Sequence, residues 1–250
     1  MVINMYQFFV EPSQIQGTRI VITGKDVNHI RNVLRMKKGE EISVSNGVDG
    51  KEYRCQIQEL SEQEVVCSLS FVKEEGMELS SRVYLFQGLP KADKMELIIQ
   101  KAVELGVYEI IPVAAARAVV KLDEKKAQNK IARWQGIAEA AAKQSKRGLI
   151  PEIKPVMTMK EAIAYSQSSK VRIIPYELAK SMEQTKRIME NLKPGEDIAV
   201  FIGPEGGFEE SEIALAREAG IVPITLGKRI LRTETAGLTV LSWVMYQLEN

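Results

Sequence analysis

The chain has 250 residues, 45% of them apolar, and 34 lysines and arginines against 33 aspartates and glutamates, for a net charge of +1. This composition excludes a disordered or fibrous chain and allows one large domain or two. The balanced charge lacks the basic excess of a dedicated nucleic-acid binder, so any such role rests on local clusters.

The N-terminal stretch MVINMYQFFVEP has no basic n-region and no small-residue cleavage site. No apolar run approaches the roughly 18 residues of a membrane span, so a cytoplasmic protein is expected. Up to about residue 72 the pattern is strand-like. Tyr53, Cys55 and Ile57 alternate with polar residues, as do Val65, Cys67, Leu69 and Phe71, and Asn46-Gly47 and Asp49-Gly50 signal turns. Cys55 and Cys67 fit neither a zinc knuckle nor a redox pair and read as reduced core residues. One exception is a helix expected over 26–36, where Val27, Ile30, Val33 and Leu34 recur at helical spacing. Arg31, Arg35, Lys37 and Lys38 lie at or beyond its end, suiting the negative end of the dipole.

The polar KEEGMELSS at 73–81 is the expected linker, dividing a β-rich domain at 1–72 from a second domain at 73–250. Strand and helix then alternate, which predicts an α/β parallel sheet. Strands are expected at 83–86, 108–113 and 171–174. Helices are expected at 94–105, closed by Gly106, at 127–147, and after Thr158, which stands at capping-box spacing from Glu161. Near the C-terminus, the apolar run 198–202 breaks into GPEGGF at 203–208, and the run 221–226 into LGKRILRTETAG at 226–237. If these two strands neighbour each other in a sheet, both glycine-marked loops emerge at one edge, where a ligand could sit. Thr233 is the expected N-cap of a last helix, 235–248. Its apolar residues circle the axis, which fits either a fully buried helix or a subunit interface.

The chain has one histidine and no metal-ligand or thiol–imidazole spacing, which sets nucleophilic and metal catalysis aside. His29 reads as a surface or structural residue. GPEGG matches neither GxGxxG nor a P-loop, and Glu205 within it would repel a phosphate, so a ribose hydroxyl or a cation is its better partner. Arg232, between Leu231 and a helix start, stands out from Lys228 and Arg229 as a cation for RNA phosphate or base. Other basic groups are Lys91 and Lys94, then Lys125, Lys126, Lys130 and Arg133, then Lys143, Lys146 and Arg147.

Together GLPKADKMELIIQKAVELGV at 88–107, RAVVK at 117–121, EAAAKQSKRGLIPEI at 139–153, IGPEGGF and LGKRILRTETA resemble the RsmE family of 16S ribosomal RNA uridine N3-methyltransferases, of the SPOUT class. QFFV at 7–10 and HIRNVLRMKKGEEI at 29–42 extend the likeness nearly end to end. Ala92 and Lys146 stand where the family commonly has glycine, Asn28 replaces the first of a histidine pair, and Ala118 a serine. The resemblance implies an α/β protein with an N-terminal PUA-like RNA-binding β-barrel and a C-terminal SPOUT domain with a trefoil knot. It also implies a homodimer, S-adenosylmethionine as cofactor, and uridine 1498 of 16S RNA as target, with no membrane and no metal. Carried over residue by residue, the cofactor site comprises Ile202, Gly203, Glu205, Gly206, Gly207, Leu226, Gly227, Ile230, Leu231 and Thr235.

In the mechanism expected from this, Arg232 stabilises the anion formed when N3 loses its proton, and Glu205 is a weaker candidate for cofactor contact or proton acceptor. Arg31, Arg35, Lys91, Lys94 and Arg147 are the expected phosphate contacts, on free 16S RNA or on the assembled small subunit. Two alternatives stay open: methylation of another RNA position such as a ribose 2′-hydroxyl, or a non-catalytic ribosome-assembly factor. A Rossmann-type dehydrogenase is disfavoured by the missing GxGxxG.

Overall fold

The computed structural model describes residues 5–74, 76–120, 122–179 and 181–249. Residues 1–4 of the N-terminal stretch, Glu75 in the expected linker, Lys121 at the end of RAVVK, Lys180 and Asn250 lie outside the described residues. The chain divides into two compact units, one of residues up to Glu78 with Ala142–Ile150, the other of Leu79–Ala141 with the residues from Pro151 onward.

In the first unit, β1 (Gln7–Phe9), β2 (Ile15–Gln16), β3 (Arg19–Thr23), β4 (Glu41–Ser45), β5 (Glu52–Leu60) and β6 (Glu64–Lys73) form one mixed sheet, ordered β1-β4-β5-β6-β3-β2. β1 and β4 pair in parallel and the other neighbours antiparallel. The alternation puts Cys55, Ile57, Val65 and Cys67 in a core with Phe8, Ile20, Ile22, Ile42 and Val44. Both cysteines are free thiols, and burial pushes each up to about 12. Phe71 is a correction, being 59% exposed. Cys55 pairs with Leu69 but Arg54 with Phe71, so a bulge inserts one residue into β6 and turns the next side chain to the other face. Between β4 and β5 the Asn46 carboxamide accepts from the backbone N–H groups of Val48 and Asp49, making the expected turn.

The helix expected over 26–36 is shorter. α1 (Lys25–Asn28) continues as a π-helical stretch, His29–Val33, and the chain leaves the helix before Arg35, which has φ 55°. His29 is exposed, with its ring edge-on to Phe8. Residues 142–150 join this unit through Glu78. Its carboxylate accepts from Arg147 Nε at 3.0 Å and from the backbone N–H groups of Gly148 and Leu149 at 3.0 and 3.1 Å.

In the second unit, β7 (Val83–Gly88), β8 (Glu109–Ala114), β9 (Glu152–Ile153), β10 (Met157–Thr158), β11 (Val171–Pro175), β12 (Ile198–Ile202) and β13 (Val222–Ile224) form a second sheet. Its order is β10-β8-β7-β12-β11-β13, with β9 also on β8, and every pairing is parallel. Parallel neighbours need helical returns. These are α2 (Lys94–Glu104), α3 (Glu124–Gln144), α4 (Met159–Tyr165), α5 (Met182–Glu190) and α6 (Glu210–Glu218), while α7 (Thr233–Leu248) follows the last strand. On one face Phe86 and Phe201 stack at 4.3 Å between ring centres, amid Ile111, Val113, Ile163, Ile174 and Ile213. α7 packs on α2, α5 and β12. It buries Val240, Leu241, Val244 and Leu248 and leaves Leu238, Trp243 and Met245 half-buried. Among the described residues no helix is long and apolar enough to cross a membrane.

The capping box at Thr158 forms as expected. Two helix ends are corrections. The helix expected at 127–147 is α3, which starts at Glu124 and stops before Lys146, whose φ is 60°. Thr233 is the first residue of α7 rather than its N-cap; Arg232 holds the cap position, and the Thr233 hydroxyl is used in a tertiary hydrogen bond. Lys146 thus holds a left-handed conformation that costs a side-chain-bearing residue about 1 kcal/mol and glycine far less. Lys146→Gly is expected to raise Tm by about 2–4 °C in thermal denaturation followed by circular dichroism, and Lys146→Val to lower it.

Candidate functional site

Parallel strands deliver their carboxyl ends to one edge, and there the loops after β11, β12 and β13 enclose a cleft of about 500 Å³. Its apolar wall includes Ile202, Phe208, Leu226 and Leu231. GPEGG and Gly227 also line it, and the exposed cations Lys228, Arg229 and Arg232 stand at its rim. Gly207 and Gly227 both line the cleft at φ 67° and 111°, and a Cβ added at either meets nothing within 4 Å. A side chain there would be strained by the positive φ, whereas glycine takes it at little cost and leaves the space beside both positions open.

Tertiary bonds hold the GPEGG loop. Arg117 Nη1 donates to the Gly206 carbonyl at 3.1 Å. The segment carrying Arg117 is held by Glu212, a 7% exposed carboxylate that accepts from Ala116 N–H at 2.9 Å and Glu209 N–H at 2.8 Å. Glu205 accepts from the Lys94 ammonium at 2.9 Å and from Lys91 N–H at 3.1 Å, and Lys94 also lies 3.5 Å from Glu234. Partial burial works to raise the Glu205 pKa, but these bonds outweigh it and hold the carboxyl below its ordinary 4.5. The hydrogen bond to Glu205 raises Lys94 in turn, against a small desolvation. Glu205 is therefore an anion at neutral pH and a weak base.

The structure gathers most of the expected cofactor residues. Ile202, Gly203, Glu205, Gly206, Gly207, Leu226, Gly227, Ile230 and Leu231 line the cleft, and Ile230 is 89% exposed at its rim. Thr235 is not among the lining residues. It is exposed on α7, and its carbonyl accepts from the Thr239 hydroxyl one turn on. The Arg232 guanidinium has no hydrogen-bond or ion-pair partner among the described residues, and it lines the cleft as expected. Arg31 is half-buried, and Arg35 and Lys91 are exposed. Arg147 is a correction: it is 3% exposed and bound to Glu78, so it offers no charge to a phosphate. Lys94 is engaged by two carboxylates.

Sequence reasoning missed Pro175 at the end of β11, Tyr176 and Glu177 just after it, and Arg117. Strand order was the missing signal for the first three, since nothing in the sequence places β11 between β12 and β13. For Arg117 the signal was its place in RAVVK, read only as part of a resemblance. Among the described residues no group of three or more His, Cys, Asp or Glu is placed to hold a metal ion.

Fold and site define a class, and comparison with known proteins agrees with it: a family model for an RNA methyltransferase domain matches residues 77–245, and one for an RNA methyltransferase PUA domain residues 22–70. The chain is 39% identical to ribosomal RNA small subunit methyltransferase E of Bacillus subtilis (strain 168), with 98% of each chain covered. It is 34% identical to the protein of that name in Mesomycoplasma hyopneumoniae (strain 232), covering 95% of this chain and 98% of that one. It belongs to the ribosomal RNA small subunit methyltransferase E family. The solved Neisseria gonorrhoeae member, bound to S-adenosyl methionine, superposes with a TM-score of 0.80 at 31% identity over 95% of each chain. The N-terminal unit is thus PUA-like, and the parallel sheet fits a SPOUT α/β domain.

Because the Glu205 pKa is depressed, its pairing stabilises the loop above about pH 4.5 and is lost as pH falls through the lower folded value. Carboxyl-carbon NMR is expected to show Glu205 titrating below the usual glutamate range, and Lys94→Met should return it towards that range.

Proposed function

We propose that this chain uses S-adenosylmethionine to methylate N3 of a uridine of 16S ribosomal RNA, uridine 1498 in the family. The observation that carries this reading is the pairing of a glycine-lined, part-apolar cleft with Arg232, a cation at the start of α7 that has no hydrogen-bond or ion-pair partner among the described residues. The open space beside Gly207 and Gly227 fits a nucleoside-sized cofactor. Ile202, Gly203, Gly206, Leu226, Gly227 and Leu231 would hold it, largely through backbone groups, with Ile230 at the rim. Glu177, an exposed carboxylate on the cleft wall, is the acceptor assigned to ribose hydroxyls, since Glu205 is already engaged by Lys94.

When bound, S-adenosylmethionine supplies a methyl group already activated on a sulfonium, so the chain needs no nucleophile of its own. Arg232 stabilises the charge on the uracil imide once N3 has lost its proton. An imide is a far stronger acid than a ribose hydroxyl. With Glu205 held as a weak base, the greater acidity of the imide supports N3 over the 2′-oxygen as the methylated atom, its proton passing to solvent.

Arg31, Arg35 and Lys91 are the assigned phosphate contacts, on free 16S RNA or the assembled small subunit. The half-buried apolar residues Leu238, Trp243 and Met245 of α7 suit a homodimer. A ribosomal RNA substrate implies action in the cytoplasm, and the family resemblance implies the trefoil knot.

Labelled methyl transfer to under-methylated small subunits and to naked 16S RNA, followed by nuclease digestion and mass spectrometry, is expected to give N3-methyluridine. A methyl group on ribose would overturn the reading. Arg232→Ala is expected to lower kcat about 10²–10³-fold with cofactor affinity kept, and near-normal turnover would remove that role. Arg35→Ala should weaken RNA binding and reduce the salt slope by about one.

A further inference from the structure

Gln87 lies near the end of β7, fully buried in a strand otherwise built from Val83, Tyr84, Leu85, Phe86 and Gly88. A carboxamide there must be desolvated, and it is only partly compensated, since its oxygen Oε1 has no hydrogen-bond partner among the described residues. Its nitrogen is fully used. Nε2 donates to the Gly88 carbonyl at 3.0 Å and to the Thr233 hydroxyl oxygen at 2.9 Å. The first of these bonds settles which end of the amide is nitrogen, because a carbonyl can only accept.

That assignment fixes Thr233 as well. Its oxygen accepts from Gln87, so its single proton is free to donate, and it does so to the Gly203 carbonyl at 2.6 Å. Gly203 opens the GPEGG loop, and Thr233 ends the segment that carries Leu226 to Arg232. The chain of bonds from β7 through Thr233 to Gly203 ties the two walls of the cleft to each other at their roots. It also fixes the start of α7, whose preceding residue is Arg232.

We propose that Gln87 is a positioning residue for the cleft: it orients the Thr233 hydroxyl onto the Gly203 carbonyl and thereby sets the spacing of the two glycine loops. Neither its amide nor the Thr233 hydroxyl takes part in the chemistry. Their role is pre-organisation, since loops held at one separation lose less freedom on binding a ligand. A hydrophobic residue at position 87 would fill the strand but leave the hydroxyl free to turn away from Gly203.

This inference rests on the S-adenosylmethionine reading of the cleft, and the test separates the two. Cofactor affinity is measured by calorimetry for the wild-type chain, Thr233→Val, Thr233→Ser, Gln87→Met and the Thr233→Val, Gln87→Met double variant. RNA affinity is measured on the same samples. Thr233→Val, which keeps the shape and removes the hydroxyl, is expected to weaken cofactor binding about tenfold, while Thr233→Ser stays within threefold of wild type. Gln87→Met is expected to weaken it severalfold alone and to add less than twofold to Thr233→Val, because both act through one hydroxyl. RNA affinity should stay unchanged throughout.

Wild-type affinity retained in Thr233→Val would overturn the proposal, and so would a serine variant as weak as the valine one. Additive effects in the double variant would break the link between Gln87 and Thr233. Parallel loss of RNA affinity would make the amide a prop of the fold and overturn the positioning role. If the wild-type chain itself fails to bind S-adenosylmethionine, the reading of the cleft fails.

Discussion

Every strand of the second unit's sheet runs the same way, and the rest of the site depends on that constraint. A parallel sheet brings all its carboxyl ends to one edge, and its strands must be covered by the helices that return the chain. β11, β12 and β13 are neighbours or next neighbours, so the segments after them meet without any one of them being long. The sheet supplies the floor, and within its core Phe86 and Phe201 stack one residue short of Gln87 and Ile202. On that floor a few backbone bonds are enough to shape a pocket from glycine-rich chain.

Much of this was legible in the sequence where the signal is local. The Thr158–Glu161 capping box needs only its own four residues, and the cysteines follow from alternation with Ile57 and Val65. The two glycine loops were legible for the same reason, since strand ends and glycine clusters mark themselves. Tertiary effects were not. Phe71 obeys the alternation up to the bulge in β6 and then faces outward, because a single inserted residue reverses the side of everything after it. Thr233 looked like a cap because a hydroxyl at a helix start usually caps, but here Gly203 accepts its proton.

Charge was the hardest property to read. Arg147 and Lys94 sit in basic clusters and look alike on paper. One is buried against Glu78 and the other is held between Glu205 and Glu234. Their partners lie far away in sequence, so a cation's availability cannot be judged from its neighbours. Arg232, by contrast, is exposed at the cleft, and among the described residues no carboxylate pairs with it.

Glu212 caps the start of α6 with one oxygen and holds Ala116 with the other. A single carboxylate that closes two structures also couples their fluctuations. When the first turn of α6 frays, the segment that carries Arg117 loses its anchor in the same event, and the GPEGG loop loses the guanidinium that steadies it. Amides of two segments remote in sequence would then exchange with solvent as one unit, at a rate set by the least stable end of a short helix.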